Sequence, residues 1–175
     1  MLTLGSVDPN NVNSIINRGY VSHLLKKYDK AVLDSELAHK FDPKLVDALV
    51  LNAIAIAKLK KYESAVVIFE KALKTDPTDV VCECYAFFRA TCLDAKYRDG
   101  KKAVEMAKLA IEKAGKDASW EYPATLAAAY AEVGDIELAV TEQRKVLDDK
   151  QLDATDKKEQ EARLALYRAK KPYRD

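Results

Sequence analysis

Apolar positions in this chain recur mostly at helical spacing. Tyr62, Ala65, Val66, Phe69, Ala72 and Leu73 fall at intervals of three and four, one buried stripe along YESAVVIFEKALKT. The preceding run, VDALVLNAIAIAKL, is apolar on more than one side and predicts a helix packed on several faces. Asp76-Pro77 ends the pair, because a residue before proline is pushed out of the helical region. Later in the chain the same logic applies to GDIELAV, where Gly134 stands between two helical runs and predicts a left-handed cap.

The helix pair repeats. Asp8-Pro9, Asp42-Pro43 and Asp76-Pro77 recur at steps of 34 residues, and so do Tyr28 with Tyr62, Ala31 with Ala65, Ala38 with Ala72, and Lys26-Lys27 with Lys60-Lys61. The register then slips: Ala65 maps to Ala103 and Ala103 to Ala139, with Ala72, Ala110 and Val146 following the same steps. The third unit therefore carries about four extra residues around AKYRDG, and a shorter insertion sits around GKDAS. Small residues occupy the places where paired helices must approach closely: Gly19 with Ala31, Ala53 with Ala65, Ala127 with Ala139. The reading is all-α, with four helical hairpins over residues 12–150. Residues 1–11 read as a remnant of a preceding unit or a lead-in, and 151–175 as a capping helix and tail. Asp156 with Glu159 marks the start of that helix, Ala162, Leu166 and Ala169 its buried stripe, widened by Leu164, Ala165 and Tyr167, and Pro172 its end.

The second unit (Ala53, Tyr62, Ala65, Phe69, Ala72, Pro77) and the fourth (Leu126, Ala127, Tyr130, Gly134, Asp135, Ala139, Val146) resemble the tetratricopeptide repeat family, with ATCLDAKYRDGKKAVEMAKLAIEKAG similar to bacterial multi-repeat members. The first unit departs from the pattern at Arg18 and Ser22, and the third at Phe87 and in its longer turn. The resemblance implies a right-handed solenoid whose first helices line a partner-binding groove. Its columns fall on Asn13, Asp47, Val81 and Glu121; on Ile16, Val50, Cys84 and Ala124; on Asn17, Leu51, Tyr85 and Thr125; and on Tyr20, Ile54, Phe88 and Ala128. Val50, Ile54 and Ala128 are expected to pack between neighbouring helices, whereas Tyr20, Tyr85 and Phe88 are expected to stay partly exposed as aromatic anchors. Chaperone-binding members grip a terminal carboxylate with Lys, Arg and Asn. Here the matching places hold Ile16, Tyr20, Leu51, Val81 and Tyr85, so no carboxylate clamp is expected and the implied ligand is an apolar-rich peptide or helix.

Composition narrows the classes further. Of 175 residues 29 are Lys or Arg and 28 Asp or Glu, a net charge of +1 that gives no bulk attraction to nucleic acid or anionic membrane. A 49% hydrophobic content excludes a disordered chain, and 5 Gly with 5 Pro favours helices over many-stranded folds. Three cysteines, Cys82, Cys84 and Cys92, cannot all pair within one chain and read as small buried apolar groups in a reducing, cytoplasmic compartment. His23 is placed near the groove and His39 on a solvated helix, with no ligand cluster around either. No phosphate loop, nucleophile elbow or zinc spacing occurs, so no cofactor or metal is expected and the chain reads as a non-catalytic interaction module. The alternatives are a scaffold that dimerises or stacks end to end, and a regulatory module of a larger enzyme.

Overall fold

The computed structural model describes residues 11–175, so the lead-in expected over 1–11 lies almost wholly outside the described residues. The described chain is all-α, and no strand occurs among the described residues. It divides into two compact units, the first ending at Asp76 and the second running from Pro77 to Asp175.

The first unit holds two hairpins: α1 (Val12–Leu24) with α2 (Tyr28–Phe41), and α3 (Val46–Lys58) with α4 (Tyr62–Thr75). Helix α2 also packs on α3, and α1 lies beside α3. Ile15, Ile16, Ala31, Ala38, Ala48, Leu51 and Ala55 form a core cluster, so close helix approach rests on alanines. Gly19 shows why: a β-carbon there would lie 2.6 Å from Leu51 Cδ2 and 3.1 Å from Asp34 Cβ. Arg18, a departure from the repeat pattern, donates to both carboxylate oxygens of Asp34, with Nη2 to Oδ1 at 2.6 Å.

Within each hairpin of this unit the turn has one design. After α1, Lys26 N–H donates to His23 O (2.8 Å) and Lys27 N–H to Ser22 O (2.8 Å); after α3, Lys60 donates to Ala57 O (2.9 Å) and Lys61 to Ile56 O (3.1 Å). These paired bonds form a Schellman cap, which requires a left-handed residue. Lys26 (φ 57°) and Lys60 (φ 62°) supply it without being glycine. The expected left-handed Gly134 (φ 88°) fills the same position after α7, and Lys170 (φ 56°) fills it after α9.

The second unit comprises α5 (Asp79–Thr91), α6 (Gly100–Ala114), α7 (Glu121–Val133), α8 (Ile136–Leu147) and α9 (Ala154–Arg168). Helix α5 pairs with α6 and α7 with α8; α6 and α5 both pack on α7, and α9 packs on α8. Ala90, Ala103, Ala128 and Ala129 make a small-residue seam. The insertion expected around AKYRDG is a long turn containing a short 3-10 segment, Ala95–Tyr97, after which Asp99 caps α6 by accepting from Lys102 N–H (2.9 Å).

Helix α9 forms where expected but differs in detail. Its N-cap is Asp153, not Asp156; the Asp153 carboxylate accepts from the N–H groups of Thr155 and Asp156. Its buried face is Gln160, Arg163, Leu164 and Tyr167, while Ala162 and Ala169 are exposed. Leu164 and Tyr167, expected at the flank of the stripe, are buried, while its expected axis is displaced because polar side chains here are buried in pairs: Gln143 Nε2 of α8 donates to Gln160 Oε1 at 2.9 Å and to its carbonyl at 3.2 Å. Tyr167 is fully buried, and burial pushes its phenol up to about 12.

Candidate protein-interaction site

In the first unit the expected groove residues separate into surface and core. Asn13, Asn17 and Asp47 are exposed, and Tyr20 and Ile54 are half-buried against the core. Ile16, Val50 and Leu51 are buried. The available face of α1 and α3 is thus a narrow Tyr20–Ile54 strip with an amide and carboxylate rim.

The second unit corrects the expected anchors. Tyr85 is only 2% exposed and Phe88 7%, and Val81 is fully buried; Cys84 is half-buried. The cause is a one-residue register shift. Ala86, fully buried, takes the small-residue position that counting in steps of 34 gives to Phe87. Ala86 stands 17 residues before Ala103, whereas Ala53 stands 12 before Ala65, so five residues are added in the turn. Between Ala72 and Ala86 there are 14 steps, against 15 between Ala38 and Ala53, so one is lost ahead of α5. One residue turns a helix by about 100°. Val81, Tyr85 and Phe88 therefore face inward, and Glu83 and Phe87 take the outward face.

Glu83 and Phe87 of α5 line a cavity of about 180 Å³ with Trp120, Glu121, Ala124 and Thr125 at the start of α7 and Arg163 of α9. Sequence reading placed Glu121, Ala124 and Thr125 in groove columns; Glu83, Phe87, Trp120 and Arg163 were missed. The Thr125 hydroxyl donates to Glu83 Oε1 at 2.5 Å. Burial pushes the Glu83 carboxyl above its ordinary range, the Thr125 bond pulling the other way. Tyr122 O–H donates to Asp79 Oδ2 at 2.7 Å, tying α7 to the start of α5. The Ser119 hydroxyl donates to Glu121. Arg163 pairs with Glu159 (Nη2 to Oε1, 2.6 Å), and its guanidinium lies 5.5 Å from the Phe87 ring centroid and 4.1 Å from that of Tyr173. Arg163 Nε is buried without a hydrogen-bond partner. The site therefore offers two aromatic walls, a carboxyl of raised proton affinity and one guanidinium.

The remaining chemical candidates resolve simply. Cys82 and Cys92 are buried, and burial pushes both thiols up, away from the reactive thiolate form. The His39 ring is half-buried rather than solvated; Lys71 Nζ donates to its Nε2 at 2.9 Å, and burial, then Lys71, holds the imidazole below its ordinary range. Among the described residues no group of three or more His, Cys, Asp or Glu is placed to hold a metal ion, and no helix is long and apolar enough to cross a membrane.

Consecutive helix hairpins, small residues at the crossings and a step that starts at 34 residues define an all-α helical-repeat fold. The tetratricopeptide repeat model matches residues 55–79, from the end of α3 through α4 to the start of α5. Over that segment the chain carries a tetratricopeptide repeat, a unit of protein–protein interaction. Among solved structures, the crystal structure of yeast Tom70 is similar at 16% identity with a TM-score of 0.48, over 93% of this chain and 41% of that chain. The chain thus spans less than half the length of that structure. No curated protein matches it.

Proposed function

We propose that the α5–α7–α9 face of the second unit binds a segment of a partner protein, with a side chain of that segment entering the cavity between Phe87 and Trp120. The observation that carries this is the cavity itself: a recess of about 180 Å³ with aromatic and charged walls that sequence-distant residues build on three rigid helices. Such a preformed recess spares the ordering cost of binding. Glu121 favours a donor on the partner, and Phe87 and Trp120 favour apolar or aromatic groups. Asn13, Asn17, Tyr20, Asp47 and Ile54 form a second exposed surface of the same kind on the first unit, where amides and a carboxylate can bond an extended backbone.

The test is partner capture with Trp120→Ala and Glu121→Arg, both on the rim of the recess. Each variant should unfold at the temperature of the parent and lose the proteins that the parent captures. Undiminished capture by both folded variants removes this face as the binding site.

A further inference from the structure

The residues that follow α9 adjoin this face at Phe87 and Arg163. Pro172 keeps the segment from continuing the helix. Tyr173 lies beside the recess, against two of the residues that line it, its ring 6.4 Å from that of Phe87 and 4.1 Å from the Arg163 guanidinium. Arg174 reaches the end of α5 and α7 at once: Nη2 pairs with Glu132 Oε2 at 2.6 Å, and Nη1 donates to Ala90 O at 3.3 Å. Asp175 N–H donates to Thr91 O at 2.9 Å. The last carbonyls of a helix have no partner within it. Here a non-helical segment supplies two of them with donors, in the way a bound peptide would.

We propose that this segment is a built-in occupant of the partner face, and that the partner competing with it presents the same chemistry: an aromatic residue followed directly by a basic one, on a non-helical stretch. The proposal rests on the proposed binding face and adds the class of ligand. Each element of the pair has its receptor. The aromatic ring stacks on Arg163 and Phe87, and the cation meets Glu132, a carboxylate flanked on its other side by Arg98 (Nε to Oε1, 2.9 Å). The main chain after the cation meets the open carbonyl of Thr91. A partner lacking the basic residue would leave Glu132 with Arg98 alone, and one lacking the ring would leave Arg163 uncovered.

The test uses a fluorescein-labelled peptide of residues 170–175, LysLysProTyrArgAsp, added to the full chain and to the full chain carrying Tyr173→Ala and Arg174→Ala, with circular dichroism to check folding. The opened variant should bind the peptide at least tenfold more tightly than the parent, and the Asp175 amide should exchange more slowly in the parent than in the variant. Should the double variant unfold, Arg174→Glu alone makes the comparison, since it sets a negative charge against Glu132 while keeping the ring. Equal binding to both chains, or an unprotected Asp175 amide in the parent, overturns the built-in occupant and leaves the binding face standing. Binding to neither overturns the aromatic–basic ligand class; the capture assay with Trp120→Ala and Glu121→Arg then judges the face independently.

Discussion

The turn after α3 and the turn after α5 solve one problem in opposite ways. Both must end a first helix and start its partner. After α3 the chain needs only Lys60 and Lys61, whose N–H groups satisfy carbonyls three and five residues back. After α5 no such pair forms: Cys92 takes an extended ψ of 133° and its N–H returns only to Phe88 O. The carbonyls of α5 and the turn are filled from elsewhere. Asp99 N–H donates to Arg89 O, Arg98 Nη1 to Cys92 O (2.8 Å) and Leu93 O (3.1 Å), and the Arg174–Asp175 pair to Ala90 and Thr91. A local cap makes a hairpin self-sufficient, whereas an inserted turn makes it depend on residues more than 80 positions away.

The strongest way to break this contrast is to remove the carboxylate at the centre of the second unit's network. Glu132 pairs with Arg98 and Arg174, and all three side chains are at most 30% exposed. Glu132→Ala should cost about 3 kcal/mol, since it strands two cations. The matching change in the first unit, Asp34→Ala, frees Arg18, whose side chain is 63% exposed and regains water; about 1 kcal/mol is expected. Urea unfolding of both variants checks the order, and equal losses would remove the distinction between the units.

A smaller effect tests the local cap. Lysine in the left-handed conformation is strained by its β-carbon, so Lys60→Gly should stabilise the first unit by about 1 kcal/mol, and Gly134→Lys should cost the second unit a similar amount. Thermal unfolding reads both. A destabilised Lys60→Gly would mean that the lysine side chain contributes more than the strain it carries.

The smallest effect concerns Glu83. Its raised carboxyl favours the protonated form in the folded chain, so its contribution is present at pH below the ordinary glutamate range and is lost as pH rises through and above that range. Glu83→Gln, whose amide oxygen still accepts from Thr125, should therefore raise the unfolding temperature at pH 7 and change it little at pH 4. A uniform shift at both pH values would assign the effect to packing instead.

Much of the fold is legible in the sequence, because tetratricopeptide packing demands small residues at fixed steps, and Gly19, Ala53, Ala65, Ala127 and Ala139 are all buried where that step puts them. The site was harder to read for a geometric reason. Counting along the chain records the net insertion between Ala65 and Ala103 but not how it is divided on either side of α5. A helix is unforgiving of a single residue, so Phe88 was exchanged for Phe87 and Cys84 for Glu83. Ala86, one step before Phe87, was the available sign that the small position lay earlier. In α9 the difficulty was of another kind: Gln160 and Arg163 are buried through pairing, and hydrophobicity alone does not register a partner on another helix. Nor does spacing reveal that Tyr173 and Arg174 return to α5, since that contact is made through space by a segment without periodicity.

That return has a bearing on how the second unit comes apart. In an open array each hairpin leans only on its neighbours, and the last one can peel away while the rest endure. The Asp175–Thr91 and Arg174–Ala90 links join the final residues to the first helix of the unit, closing the row into a ring. Detaching α9 then also uncaps α5, so loss at one margin is felt at the other and the five helices melt as one block.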